Sequence, residues 1–238
     1  MRPTSRTLIF SVITIAILML FQACHVAYIP SMENVPLLQK KFEVQANLTP
    51  ANFQAAFAPA EHVGLMLNAQ SSGNKWTEND DIDYEAKRQF IEGGAGYWKK
   101  TEDNKYFEFY GGAGYGKLHF FEDWLSQDSE YEATMIRTFL QPAIGISNDY
   151  IDVAFSARIL QLKFINPEVR NYSQEDLISL ELWDLDKNPY YFIEPAITFR
   201  AGYKYLKAHF QYLYSYKVND TPIFRYNQNF FMGISLRF

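Results

Sequence analysis

The last nine residues of the chain decide the fold: Phe230-Phe231-Met232-Gly233-Ile234-Ser235-Leu236-Arg237-Phe238. Every second residue is large and apolar, and most of the residues between them are small or charged. This alternation predicts a β-strand with one apolar and one polar face. A terminal strand of this kind, ending on an aromatic residue, is typical of a transmembrane β-barrel, whose strands face lipid and lumen in turn.

The same alternation recurs along most of the chain and predicts ten strands. Their approximate bounds are 42–49, 52–58, 61–71, 87–99, 105–117, 134–147, 150–163, 189–203, 206–217 and 228–238. Past the first hairpin, tight turns alternate with long loops at 72–86, 118–133, 164–188 and 218–227. Outer-membrane barrels sort their connections in this way. The sequence therefore predicts an all-β, antiparallel, up-and-down transmembrane β-barrel over residues 42–238, and leaves open whether eight, ten or twelve strands close it.

One short helix is expected within residues 173–183. Ser173 precedes Gln174, Glu175 and Asp176, and its hydroxyl is of the type that caps a helix N-terminus.

The two faces of the predicted strands differ sharply in charge. One face carries residues such as Phe155, Ile197 and Phe210, while Arg158 and Arg200 lie on the other with several acids and glycines. In a soluble, lipocalin-like barrel the apolar face would point inward. Mixed charges sharing a face rich in small residues favour an enclosed lumen, so we expect the apolar face to meet lipid. The alternative is a soluble, lipid-anchored β-barrel that carries an apolar ligand.

The N-terminus has the pattern of a signal segment. Arg2 and Arg6 precede an uncharged run over residues 8–21, which at about 14 residues is short for a membrane-spanning helix. Ala23 and Cys24 follow, and Cys24 is the only cysteine. The pattern predicts a signal peptide over residues 1–23 and a covalent lipid on Cys24.

Residues 24–41 are predicted to form an extended tether, since Pro30 and Pro36 disfavour a helix. With an even strand count, residue 42 begins on the periplasmic side, and a lipid on Cys24 would then reach the inner leaflet. Cleavage before Cys24 lowers the formal net charge from −5 to −7, with 20 Lys and Arg against 27 Asp and Glu. This balance argues against nucleic acid as a partner.

The pattern resembles the small outer-membrane barrel family of the OmpA/OmpX type, and more closely the barrels that begin with a lipoprotein signal. The resemblance covers most of residues 36–238 and is carried by residues 56–66, 92–97, 110–116 and 192–196, and by the terminal Phe238. It implies an outer-membrane, cell-envelope location in a Gram-negative organism and, commonly, no assigned biochemical activity. It also implies recognition of the Phe238 strand by the barrel-assembly machinery.

The polar face offers one candidate site, a network of lumen charges. Its members are Glu92, Glu108, Arg137, Asp152, Arg158, Glu194, Arg200 and Arg237. Because buried charges must be paired and small barrels are filled by side chains, these residues predict a plugged interior. The alternative is a narrow pore or a conduit for ions or protons.

No catalytic or metal-binding motif stands out. His25, His62, His119 and His209 lack metal-ligand spacing, and the glycine clusters lie in predicted strands rather than in phosphate-binding loops. We therefore expect no enzyme activity, no metal and no cofactor beyond the lipid. The expected partners are outer-membrane lipid and a surface partner contacted through loops 72–86, 118–133 and 164–188. The predicted function is a structural or surface-interaction role.

Overall fold

The computed structural model describes residues 26–78, 82–101, 104–124 and 127–238, and they form an all-β protein. The strands are β1 (Val44–Leu48), β2 (Asn52–Ala60), β3 (Val63–Glu78), β4 (Ile82–Lys100), β5 (Lys105–Trp124), β6 (Gln127–Ser147), β7 (Ile151–Arg170), β8 (Tyr190–Tyr203), β9 (Leu206–Tyr214), β10 (Tyr216–Lys217) and β11 (Gln228–Arg237). A short helix, α1 (Gln174–Ser179), lies between β7 and β8. Within the described ranges, no helix is long and apolar enough to cross a membrane.

The sheet closes into a barrel of ten antiparallel strands. Each strand from β1 to β8 pairs with the next along the chain, β9 pairs with β11, and β11 pairs with β1 to complete the ring. The short β10 continues the direction of β9 and also pairs with β8. The predicted fold class and the count of ten are confirmed.

The apolar face of the wall points outward. Phe155 is 49% exposed and Ile197 is 56% exposed, whereas Arg158 and Arg200 are fully buried inside. On β6 the exposed apolar residues lie within residues 136–146, a span that at ~3.4 Å per residue and a tilt of ~40° is ~26 Å high. This height matches the hydrocarbon band that a transmembrane barrel presents to lipid.

The two ends of the barrel differ in their connections. At one end, here called the turn end, tight turns join β2 to β3, β6 to β7 and β8 to β9, and both Glu43 and Phe238 lie there. At the other end, the loop end, β3 to β6 continue as two long hairpins, and only residues 79–81 and 125–126 separate the paired strands.

Loops 72–86 and 118–133 are therefore mostly strand, which corrects the sequence prediction. The first part of loop 164–188 is also strand, since β7 continues to Arg170. These extensions lie above the apolar belt, where the outward face of the wall is polar. On β5 and β6 the inward face is apolar instead, with Leu118, Phe120, Tyr131 and Ala133 buried. The alternation is therefore the reverse of that in the belt, and a pattern that assigns the apolar face to lipid does not continue through it.

The remainder of loop 164–188 forms a lid over the loop end. Ser173 caps α1, with its hydroxyl accepting a hydrogen bond from the Asp176 backbone amide, as the sequence predicted. Leu177, Leu182 and Leu185 are buried in the main apolar cluster of the interior. Burial and the nearby Glu122 carboxylate raise the pKa of the Tyr172 phenol, which packs against the same cluster.

Candidate functional site in the barrel lumen

The lumen is occupied by the chain's own residues 26–38, here called the luminal segment. At the loop end, the Ala27 amide donates to the Phe224 carbonyl (2.9 Å) and the Tyr226 amide donates to the Tyr28 carbonyl (3.1 Å). At the turn end, the Leu38 amide donates to the Glu108 carboxylate (3.0 Å). The segment thus crosses the barrel from end to end before β1 begins.

This path differs from the tether expected for residues 24–41. The segment is extended, without regular secondary structure, but it lies within the barrel rather than beside it. Met32, Glu33, Val35, Leu37 and Leu38 have no exposed surface. Residue 26 consequently lies at the loop end, opposite to residue 42, whereas the tether prediction kept both on the turn side. Cys24 and the signal segment lie outside the described residues.

The wall holds the luminal segment through its backbone. Seven consecutive carbonyls, from residue 30 to residue 36, each accept a hydrogen bond from an inward-facing side chain. The donors, in order, are Asn229 (3.2 Å), Arg158 (2.8 Å), Gln54 (2.7 Å), Gln211 (2.9 Å), Gln141 (2.7 Å), Arg200 (2.6 Å) and Arg237 (3.1 Å). We call this set the carbonyl ladder.

The carbonyl ladder supplies the hydrogen-bond partners that an extended chain needs in a closed interior. A buried backbone carbonyl without a partner is costly, and this segment has no neighbouring strand to supply one. Wall side chains also accept from its amides: Asn52 from Met32 (3.3 Å) and Gln211 from Glu33 (2.7 Å). Gln211 therefore pairs with both backbone groups of Glu33, as a strand neighbour would.

The first part of the charge network surrounds the middle of the segment. Glu92 pairs with Arg137 (2.5 Å) and with Arg158 (3.4 Å), and Arg158 also pairs with Glu194 (2.7 Å). Tyr28 of the luminal segment donates its hydroxyl hydrogen to Glu194 (2.9 Å). Because every one of these charges is buried, the pairing keeps the polar interior compatible with a low dielectric.

A glycine makes the Glu92–Arg137 pair possible. Glu92 on β4 and Arg137 on β6 both lie opposite Gly114 of the intervening β5. A Cβ at position 114 would lie 2.6 Å from the Cβ of Glu92 and 2.5 Å from the ring of Phe90. Only glycine leaves room there, so the guanidinium can reach across an entire strand.

The second part of the network lies near the turn end. Asp152 is close to Lys207 (2.7 Å), Arg237 (3.7 Å) and Arg200 (3.8 Å). Arg237 is also 3.6 Å from Glu43, and the side chain of Arg237 is partly exposed. The guanidinium groups of Arg200 and Arg237 also donate to the Val35 and Pro36 carbonyls of the luminal segment.

All eight residues of the predicted network lie in the lumen, but their partners could not be foreseen. Glu108 accepts from the Leu38 amide and has no arginine within ion-pair distance among the described residues. Sequence reasoning missed Lys207, which pairs with Asp152. The available signal was its position on β9, since Lys207 lies on the same inward face as His209 and Gln211. The contribution of Tyr28, Glu33 and Asn34 could not be found from strand alternation.

Apolar layers close the lumen above and below the charges. At the loop end, Tyr28 stacks on Phe192 with ring centroids 4.7 Å apart, within the cluster that includes the lid leucines. At the turn end, Val35 and Leu37 pack with Tyr106. The cavity beside Tyr28 and Arg88 has a volume of about 10 Å³, close to the minimum for a single water.

A titratable cluster that includes a histidine lies outside the lumen. His119 Nε2 is 3.0 Å from Glu130 and 3.8 Å from Glu132, on the outer wall beyond the apolar belt. The three groups are close enough to share a cation. Arg170 also pairs with Glu130 at 3.0 Å, which weakens the attraction of this carboxylate for a cation. The absence of a metal site remains a prediction from sequence.

The comparisons with known proteins add little beyond the fold. No family model matches the chain, and no curated protein matches it. Among solved structures, the chain is similar to the translocator domain of the autotransporter NalP from Neisseria meningitidis. The identity is 10% and the TM-score 0.37, over 82% of this chain and 85% of that chain. At that level, the likeness says nothing about what this chain does.

Proposed function

We propose that this protein is an outer-membrane β-barrel lipoprotein of the small OmpA/OmpX-like kind, with a structural or surface-interaction role and a lumen sealed against ions. The carbonyl ladder is the observation that carries the proposal. A conduit needs mobile water, whereas here wall side chains rather than water satisfy the backbone carbonyls of the luminal segment. We therefore favour a permanent plug over a pore.

The shape of the wall supports the proposed location. The outward apolar belt and the difference between turn end and loop end support insertion in the outer membrane, with the loop end outside. Phe238 is 64% exposed at the turn end, where the barrel-assembly machinery would meet it from the periplasm. The expected lipid partner is the surrounding membrane.

The surface role rests on the two hairpins at the loop end. On β4 the outward residues change from Ile91 within the belt to Gln89 and Lys87 above it, so the strand continues into water. Such rigid, paired extensions suit contact with a macromolecule at the cell surface. The Cys24 lipid, the absence of a cofactor and the absence of enzymatic turnover remain expectations from sequence.

Planar-bilayer recording of the purified full-length protein tests the seal. We expect no single-channel steps from the intact barrel. The double variant Gln141→Ala with Gln211→Ala removes two donors of the ladder, and we expect it to open intermittently. Gln161→Ala, on the exposed outer wall, is the matched control and should stay silent. Steady steps from the intact protein would contradict the plug and favour a conduit.

A further inference from the structure

The barrel wall has a notch at the loop end, above the hairpin of β1 and β2. That hairpin turns at residues 49–51, whereas β3 continues to Glu78 and β11 begins at Gln228. β3 pairs with β2 only as far as Gln70, and β11 pairs with β1 only as far as Ile234. Above these points β3 and β11 stand three strand spacings apart, or ~14 Å.

The notch joins the lumen to the lipid-facing belt. It forms a cavity of about 430 Å³. The apolar part of its lining consists of Ile29, Pro50, Ala51, Phe230, Phe231 and Met232. Phe230 and Met232 are 56% and 60% exposed on the outer face of the wall, so the opening meets hydrocarbon at the upper edge of the belt. The β3 side is polar and includes Gln70 and Ser72.

The described chain begins close to this notch. The Nε of Arg88, a buried side chain that lines the cavity, donates to the Val26 carbonyl. Ile29 contributes to the lining three residues later. Cys24 precedes Val26 by two residues, which extended chain spans in at most ~7 Å. A chain of two residues is therefore long enough to connect Val26 with the opening.

We propose that the notch is the exit through which acyl chains on Cys24 enter the outer leaflet, an inference that rests on the lipidation included in the proposed function. Acyl chains need apolar surroundings, and the lumen below is occupied by charges and by the luminal segment. The inner leaflet lies at the turn end, and the whole length of the luminal segment separates it from residue 26. The lipid would thus anchor the N-terminus at the outer surface.

Photo-crosslinking in the full-length protein tests the proposal. The protein is produced in a Gram-negative host with p-benzoylphenylalanine in place of Met232 at the notch. Matched variants carry the same residue in place of Phe155, three strands away on β7, or Leu206, at the turn end; both side chains are exposed on the outer wall. After irradiation and trypsin digestion, mass spectrometry identifies the lipidated Cys24 peptide and any peptide joined to it.

We expect the lipidated peptide to join to position 232 within the same chain and not to positions 155 or 206. The Cys24→Ser variant should lose the lipid-containing product. Crosslinking at Leu206 would place the lipid in the inner leaflet and overturn the proposal, as would equal yields at all sites or a Cys24 peptide without lipid. If the Met232 variant does not assemble, Phe230 provides a second notch position. If the barrel carries no lipid but still blocks ions, the lipid-exit inference is wrong and the proposal of a sealed lumen stands.

Discussion

Arg158 is the residue on which the central charges depend. It is fully buried, pairs with Glu92 and Glu194, and donates to the Ser31 carbonyl. Removing it leaves two carboxylates and one carbonyl with fewer partners in an environment that water does not reach. Strand alternation alone predicted that this arginine faces inward. Its partners depend on strand register and on the luminal segment, which alternation does not give.

Arg158→Met should destabilise the barrel by ~3–5 kcal/mol, because it breaks a buried ion pair on one side only. The free energy of unfolding is measured by urea titration in lipid vesicles. Arg170→Met is the matched control, since Arg170 pairs with Glu130 at the surface, and its effect should stay below ~1 kcal/mol. Equal effects of the two variants would contradict the paired interior.

Two glycines of β4 should respond oppositely to alanine. A Cβ at Gly96 would lie 2.2 Å from the Phe109 carbonyl oxygen, while one at Gly93 meets nothing closer than the Met66 oxygen at 3.7 Å. Gly96→Ala should cost ~1–3 kcal/mol through steric strain. Gly93→Ala should be neutral or stabilise by up to ~1 kcal/mol, because glycine within a strand is unfavourable. The same urea titration measures the free energy of unfolding of both variants. A greater loss of stability in Gly93→Ala than in Gly96→Ala would contradict the packing described for the inward face.

At the scale of elements, α1 could be read from sequence and the luminal segment could not. Ser173 and Asp176 have the spacing of a helix cap, a local signal that does not depend on the rest of the fold. Residues 26–38 have no period, contain two prolines and pair mainly with side chains from distant strands. The same sequence is compatible with a solvent-exposed tether, and only the tertiary contacts decide between the two.

Ser173→Ala should loosen the lid without unfolding the barrel. Loss of the cap costs about 1 kcal/mol, so hydrogen exchange at the Leu177 amide, which donates to the Ser173 carbonyl, should accelerate several-fold. Ser179→Ala at the other end of α1 is the control, since its hydroxyl donates only to the Asp176 carbonyl. Unchanged exchange in Ser173→Ala would mean that tertiary packing alone holds α1.

At the scale of the whole molecule, alternation predicted the barrel and its ten strands because one face meets lipid along the belt. It failed above the belt, where residues 72–78 and 118–124 are strand with water on the outside. The short β1–β2 hairpin, and with it the notch, follows from strand lengths at the loop end. The sequence pattern does not give the length of a strand beyond the point where its outward apolar residues end.

A lysine in the middle of the belt tests the orientation of the wall. Ile197→Lys should destabilise the barrel in vesicles by ~2–4 kcal/mol, the cost of a cation near the bilayer midplane. Gln89→Lys, outward on β4 above the belt, should cost at most ~1 kcal/mol. A small effect at position 197 together with a large effect at position 89 would contradict the assigned height of the belt.

Hydrogen–deuterium exchange of the full-length protein in lipid tests the plugged lumen most directly. The Met32, Glu33 and Leu38 amides donate to wall side chains. We expect peptides covering residues 27–38 to exchange as slowly as β7 and β8. Exchange of those peptides at the rate of an unstructured chain, with β7 and β8 still protected, would show that the luminal segment does not fill the barrel.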